Sequence, residues 1–184
     1  MKLLGNTKHI HFIGIGGIGM SGMAEFLKNN NFIVTGSDIE LSNRVKHLIS
    51  IEIEIVIGHK KNNIKNTDLI VYSSAISKDN PEIIQGKNKK IPVIKRAELL
   101  GELMKMKEIS IAVAGTHGKT TTSSMIGNIL HEAGMDPTII TGGIINKFNS
   151  NNISGSGNIM VVEADEFDKS FLSMNPTYTT INNI

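Results

Sequence analysis

The 184-residue chain has no cysteine, no tryptophan, four prolines and only 4% aromatic residues. Without cysteine there is no disulfide, no thiolate metal site and no thiol nucleophile. Scarce aromatics leave no stacking platform for single-stranded nucleic acid. Charge of one sign is also missing. Lys and Arg number 19 against 17 Asp and Glu, a formal +2, so no polyelectrolyte partner is implied and nucleic acid is not expected. No segment approaches the ~20 consecutive apolar residues of a membrane span. The start, Met1-Lys2-Leu3-Leu4-Gly5-Asn6, has no apolar stretch of the kind that opens a secretory leader. Hydrophobic content of 40% and charged content of 20% are those of a globular chain with a buried core.

Glycine is plentiful where it matters. The apolar run Ile109-Ser110-Ile111-Ala112-Val113-Ala114 leads into Gly115-Thr116-His117-Gly118-Lys119-Thr120-Thr121-Thr122. A strand entering a glycine-rich turn that opens a helix aims backbone N–H groups at polyphosphate, and Lys119 adds a cation. The hydroxyl that follows, on Thr120, is placed to reach Mg²⁺. A full P-loop motif would put glycine where this chain has Val113, so the loop is a shortened form. Glu163 follows the apolar run Ile159-Met160-Val161-Val162, the usual place for a second Mg²⁺ ligand in such proteins. Three further acids, Asp165, Glu166 and Asp168, fit a solvated loop as well as they fit a site.

A second glycine turn lies near the start. Gly14-Ile15-Gly16-Gly17-Ile18-Gly19 follows the strand-like His9-Ile10-His11-Phe12-Ile13, and Asp38 ends the next strand. Such a turn lets a diphosphate approach a helix N-terminus while the acid accepts from a ribose hydroxyl. Alone it fits NAD or FAD as readily as another ribose diphosphate. Ser73 and Ala75 follow the strand Leu69–Tyr72, at the carboxyl end where ligands of parallel sheets bind. His59 and Arg96 are weaker candidates. His117 is expected to shape the loop or face phosphate.

Strands alternate with helices. Helices are expected over Ile18–Asn29, from Ser42 through Leu48, after Asn80-Pro81, over Ala97–Met104, and from the second glycine turn to about Ala133. Strands are expected at Ile33–Gly36, Ile53–Ile57, Leu69–Tyr72, Pro92–Ile94, Pro137–Thr141, Ile159–Val162 and Tyr178–Ile181, with a glycine- and asparagine-rich connection from Thr141 to Asn158. The pattern predicts an α/β protein: a Rossmann-like parallel-sheet domain over 1–106, then an incomplete P-loop α/β domain over 107–184. A P-loop domain needs well over ~100 residues, so the second unit is expected to be only the first part of one, with partners for its sheet missing.

Taken together, these residues resemble the Mur ligases, and within them the members that act on L-alanine. The resemblance is carried by His11 to Gly22, Gly36-Ser37-Asp38, Gly58-His59, Ser73 to Ile76, Asn80-Pro81-Glu82, Arg96-Ala97-Glu98, the shortened loop Gly115–Thr122, Asp136-Pro137-Thr138, Gly142-Gly143 and Glu163 to Glu166. Phe167 departs from the serine often found there. The resemblance implies a cytoplasmic step of peptidoglycan synthesis in cell-wall biogenesis. ATP would activate the carboxylate of UDP-N-acetylmuramate, and L-alanine would attack the acyl phosphate. It implies ATP contacts at Gly115, Thr116, His117, Gly118, Lys119, Thr120 and Thr121, with Thr120 and Glu163 holding Mg²⁺ and Lys119, Thr120 and Glu163 serving catalysis. It implies UDP-sugar contacts at Gly14, Gly16, Gly17, Ile18, Gly19, Ser37, Asp38, His59, Ser73, Ala75 and Arg96. The family continues into a third domain, so these 184 residues alone are expected to be inactive. The alternatives are a ligase that recycles peptides onto the same sugar nucleotide and an NAD-dependent oxidoreductase. The recycling enzymes usually carry a cysteine near the second glycine, where this chain has Gly16-Gly17-Ile18.

Overall fold

A computed structural model describes residues 3–145, 150–164 and 174–183. They form two compact units, Met1–Leu99 and Leu100–Ile184. Asp165, Glu166, Phe167 and Asp168 lie outside the described residues.

The first unit contains β1 (His9–Ile13), α1 (Ile18–Asn29), β2 (Ile33–Asp38), α2 (Asn43–Ser50), β3 (Glu54–Ile57), a 3-10 turn (Lys61–Asn63), β4 (Leu69–Tyr72), α3 (Pro81–Asn88) and β5 (Val93–Lys95); α4 (Arg96–Met104) follows, and the division between units falls within it. The sheet is parallel, in the order β3-β2-β1-β4-β5. The chain therefore winds outward from β1 in one direction and from β4 in the other. Their carboxyl ends flank the point where strand order reverses, and ligands of open α/β sheets bind in the crevice there. Ile10 and Phe12 are fully buried, as are Met23, Phe26 and Leu27 of α1. On another face Ile13 packs with Ile64, Ile70 and Ile83. Ser42 caps α2 by accepting from the Val45 N–H at 3.3 Å. Asn80 caps α3 by accepting from Glu82 N at 2.9 Å, with Pro81 as the first helical residue. α1 begins after Gly17 with no side-chain cap and no acid in its first turn.

The second unit has β6 (Ile109–Ala114), α5 (Lys119–Glu132), β7 (Thr138–Ile145), β8 (Ser150–Ile153), β9 (Ile159–Glu163) and β10 (Tyr178–Ile181), in the order β10-β6-β9-β7-β8. All pairs are parallel except β7 with β8. Here the structure departs from the sequence reading. β7 runs on through Gly142 and Gly143, and an antiparallel strand lies inside the glycine- and asparagine-rich stretch for which no strand was expected. Buried apolar contacts override the poor strand propensity of glycine and asparagine. Ile139 pairs with Ile153, and Ile145 joins Ile139 and Val161 in the core. α5 lies close on β7 because Gly127 carries no side chain; a Cβ there would stand 2.2 Å from Ile139 Cδ1.

Candidate functional sites

In the first unit β1 ends at Gly14, which has φ of +77°. Its N–H and that of Ile15 donate to the Ser37 carbonyl at 2.8 and 3.1 Å. Gly16 N–H donates to Asp38 Oδ2 at 2.7 Å, while Ile39 and Glu40 N–H reach Asp38 Oδ1 at 2.8 and 3.4 Å. A Cβ on Gly16 would stand 2.7 Å from Val45 Cγ2 and 2.9 Å from Asp38 Oδ2. The end of β2 is thus buckled under the glycine turn. Asp38 occupies the place expected of it, but both its oxygens are engaged by backbone N–H groups and it is buried. Ser37 is 0% exposed, its hydroxyl turned inward. Both residues hold the turn from below.

Gly17, Ile18 and Gly19 open α1, and Arg96 comes to them from the start of α4: a Cβ on Gly19 would stand 2.6 Å from Arg96 Nη1. A helix N-terminus beside a guanidinium is a place for a diphosphate. Ser73 and Ala75 border the same turn from β4. Ser73 N–H donates to the Ile13 carbonyl at 3.2 Å, Ala75 N–H to Ser73 Oγ at 3.3 Å, and a Cβ on Gly14 would be 3.4 Å from Ser73 Cβ. His59 stands apart from the turn. Its Nδ1 lies 2.9 Å from Ser37 Oγ and 3.2 Å from Glu82 Oε2.

Glu82 was not singled out as a site residue from sequence. A glutamate in the first turn of a helix reads as a surface complement to the helix dipole. The overlooked signal is on the strands. His9, His11, Thr35 and Ser37 place polar groups at every second position of β1 and β2, where a buried parallel sheet normally carries apolar ones.

In the second unit Gly115 (φ +130°) and Gly118 (φ +79°) take conformations that favour glycine, and α5 begins immediately after. Lys119 Nζ donates back to the Gly115 carbonyl at 2.5 Å and to that of Thr116 at 3.5 Å. Thr116, His117 and Thr121 are exposed. Glu163 is in register with Val113 of β6, which sets it beside the loop. Its Oε1 accepts from Ser123 Oγ at 3.2 Å and its Oε2 from Gly142 N–H at 2.9 Å. A Cβ on Gly143 would stand 2.9 Å from Thr120 Cγ2. The glycine pair therefore lies between Thr120 and Glu163, touching both. A hydroxyl and a carboxylate are hard oxygen donors, suited to Mg²⁺, which takes one or two protein ligands when phosphates supply others. Among the described residues no group of three or more His, Cys, Asp or Glu is arranged to hold a metal ion.

Asn182 and Asn183, just past β10, were also missed. Asn183 Oδ1 accepts from Thr116 Oγ1 at 2.8 Å and His117 N–H at 3.1 Å. Asn182 Nδ2 donates to Thr122 Oγ1 at 2.9 Å. A polar doublet directly following a parallel neighbour of β6 was the signal.

The family model described as "Mur ligase family, catalytic domain" matches residues 9–108. The chain is 52% identical over 182 residues to the UDP-N-acetylmuramate–L-alanine ligase of Trichlorobacter lovleyi, covering 99% of this chain and 40% of that one. Against the same-named protein of Persephonella marina the values are 51%, 98% and 39%. Among solved structures, UDP-N-acetylmuramate-alanine ligase of Thermotoga maritima superposes with a TM-score of 0.83 at 34% identity, over 95% of this chain and 41% of that one. UDP-N-acetylmuramate:L-alanyl-gamma-D-glutamyl-meso-diaminopimelate ligase of Neisseria meningitides superposes with 0.86 at 29%, over 96% and 60%. The chain spans about 40% of the length of the curated relatives it matches.

Proposed function

Since the chain belongs to the Mur ligase family, we propose that it supplies the UDP-sugar site and the phosphate-binding loop of an ATP-dependent ligase that joins L-alanine to UDP-N-acetylmuramate. The single observation that carries this reading is identity of about half, over almost the whole chain, to proteins named for that activity. Both glycine turns lie within the matched span.

In the reaction, the carboxylate of UDP-N-acetylmuramate attacks the γ-phosphorus of ATP, giving an acyl phosphate and ADP. The amine of L-alanine then attacks the acyl carbon and expels phosphate, leaving an amide. The loop from Gly115 to Thr121 binds the triphosphate. Lys119, once it leaves the Gly115 carbonyl, offsets charge on the transferring phosphoryl group. Thr120 and Glu163 would hold Mg²⁺, whose chemistry is to neutralise phosphate oxygens. Gly17, Ile18, Gly19 and Arg96 take the UDP diphosphate, with Ser73 and Ala75 alongside, and His59 stands toward the nucleoside side. A cytoplasmic setting goes with this substrate, and no described helix is long and apolar enough to cross a membrane.

Two other readings are weighed by particular observations. An NAD-dependent oxidoreductase would use Asp38 on ribose hydroxyls, yet three backbone N–H groups already occupy that carboxylate, and the second loop would have no purpose. A peptide-recycling ligase is favoured by the 0.86 TM-score, but at 29% identity against 52% for the alanine ligase.

Calorimetric titration of the chain with UDP-N-acetylmuramate, with NADH run in parallel, tests the reading. Saturable sugar-nucleotide binding without NADH binding is the expected result. NADH binding with the sugar nucleotide silent would overturn it.

A further inference from the structure

The polar strand positions of the first unit converge on one carboxylate. Glu82 is 0% exposed. Its Oε2 accepts from Ser37 Oγ at 2.6 Å and from His59 Nδ1 at 3.2 Å. Its Oε1 accepts from Asn63 Nδ2 at 2.5 Å and lies 3.9 Å from His11 Nε2. His11 Nδ1 continues to Thr35 Oγ1 at 2.9 Å, and His9 Nε2 meets the same hydroxyl at 2.9 Å. Burial by itself pushes the Glu82 carboxyl up. The His11 imidazole 3.9 Å away, together with hydrogen bonds from Ser37 and Asn63, outweighs it, and the group sits below the usual glutamate value. An ionised carboxylate held out of water is costly unless its lone pairs are used, and here they are.

What these bonds hold in place is the sugar-nucleotide turn. Ser37 gives its hydroxyl hydrogen to Glu82 and its carbonyl to the N–H groups of Gly14 and Ile15. Asn63 Nδ2 also donates to the Gly58 carbonyl at 3.0 Å, and Gly58 N–H donates to the Asp38 carbonyl at 2.7 Å. One side chain of α3 thus ties down the end of β2 and the segment after β3 that carries His59. We propose that Glu82 is a positioning residue of the UDP-sugar site, setting the glycine turn and the proton arrangement of His59 before ligand arrives. The inference rests on the sugar-nucleotide reading of that turn. The proton arrangement follows from counting hydrogens. Ser37 has one, spent on Glu82, so its oxygen accepts from His59, and Nδ1 carries the ring hydrogen. Nε2 is then the lone-pair atom; it is buried and has no hydrogen-bond partner among the described residues.

The test uses the full chain. Nitrogen NMR of the ligand-free protein reads the His59 tautomer. Calorimetry with UDP, and separately with a non-hydrolysable ATP analogue, reads both sites. In the unsubstituted chain His59 is expected as the Nδ1–H tautomer. Glu82→Gln keeps the shape but turns an amide N–H₂ toward a donor. It is expected to shift the His59 tautomer and weaken UDP roughly tenfold, the worth of a charged hydrogen bond, with binding of the ATP analogue unchanged. Ser37→Ala, which removes one link and no charge, is expected to give a smaller loss in the same direction; it decides the matter together with the wild-type tautomer if Glu82→Gln does not fold. An Nε2–H tautomer in the wild type, or a folded Glu82→Gln protein with unaltered UDP affinity, overturns the proposal and leaves the site reading standing. A wild-type chain that binds the ATP analogue but not UDP overturns both.

Discussion

Asp38→Ala separates two roles that an acid at the end of β2 can have. If the carboxylate is a buckle for the glycine turn, the loss appears without any ligand. The Gly16 N–H that donates to Oδ2 is buried, and an unpaired buried donor costs about 1–3 kcal/mol. The Ile39 and Glu40 N–H groups are only partly buried and re-pair with water, adding about 1 kcal/mol together. The sum, about 2–4 kcal/mol, corresponds to a fall of about 8–30 °C in the unfolding midpoint of a unit of this size. Differential scanning calorimetry of the ligand-free chain reads it on the transition that UDP raises, with CD reporting native secondary structure below it. Asp38→Asn keeps one acceptor oxygen and is expected to lose about half as much. A ligand-free midpoint within about 2 °C of wild type, combined with a large loss of UDP affinity, would refute the buckle and return Asp38 to the ribose role that its sequence spacing suggests.

Gly143→Ala pushes a methyl group to 2.9 Å from Thr120 Cγ2; affinity for ATP in the presence of Mg²⁺ is expected to fall about tenfold, and affinity without Mg²⁺ to fall less, by calorimetry with EDTA as the comparison. Lys119→Met is expected to abolish measurable triphosphate binding while moving the unfolding midpoint little, because among the described residues that amine bonds only carbonyls of its own loop. Backbone N–H groups of His9 and Lys8 hold the Asp68 carboxyl below its ordinary value. A depressed acid contributes stability above its unfolded value and loses it as pH falls through the folded one, so urea midpoints should decline below about pH 4 and decline less steeply in Asp68→Asn.

The sheet of the first unit was legible because each strand announces its end. Gly14, Ser37-Asp38, Gly58 and Ser73 punctuate the apolar runs, and alternating strands and helices admit few topologies. β8 was not legible, because Asn and Gly dominate residues 141–158 while the decisive pairing of Ile139 with Ile153 is made across the sheet. The glycine turn could be recognised, but not what holds it. Asp38 is 22 residues from Gly16, and Glu82 is 45 from Ser37; whether an acid faces a ligand or the protein interior depends on which way a strand end turns. Likewise Lys119 and Glu163 declared themselves by neighbouring motifs, whereas Asn183 acts on His117 from 66 residues away.

The place of β6 has a consequence in time. Both its neighbours come later in the chain. Ile111 meets Val161 of β9 and Tyr178 of β10. A ribosome adding about 5–20 residues per second needs roughly 3–13 s to make that span, while a helix forms in about a microsecond. α5 can therefore wind before β6 has a strand on either side. Asn183, which fastens the loop, emerges later still, after β10. During those seconds the most apolar strand of the second unit shows two open edges to every other nascent chain nearby.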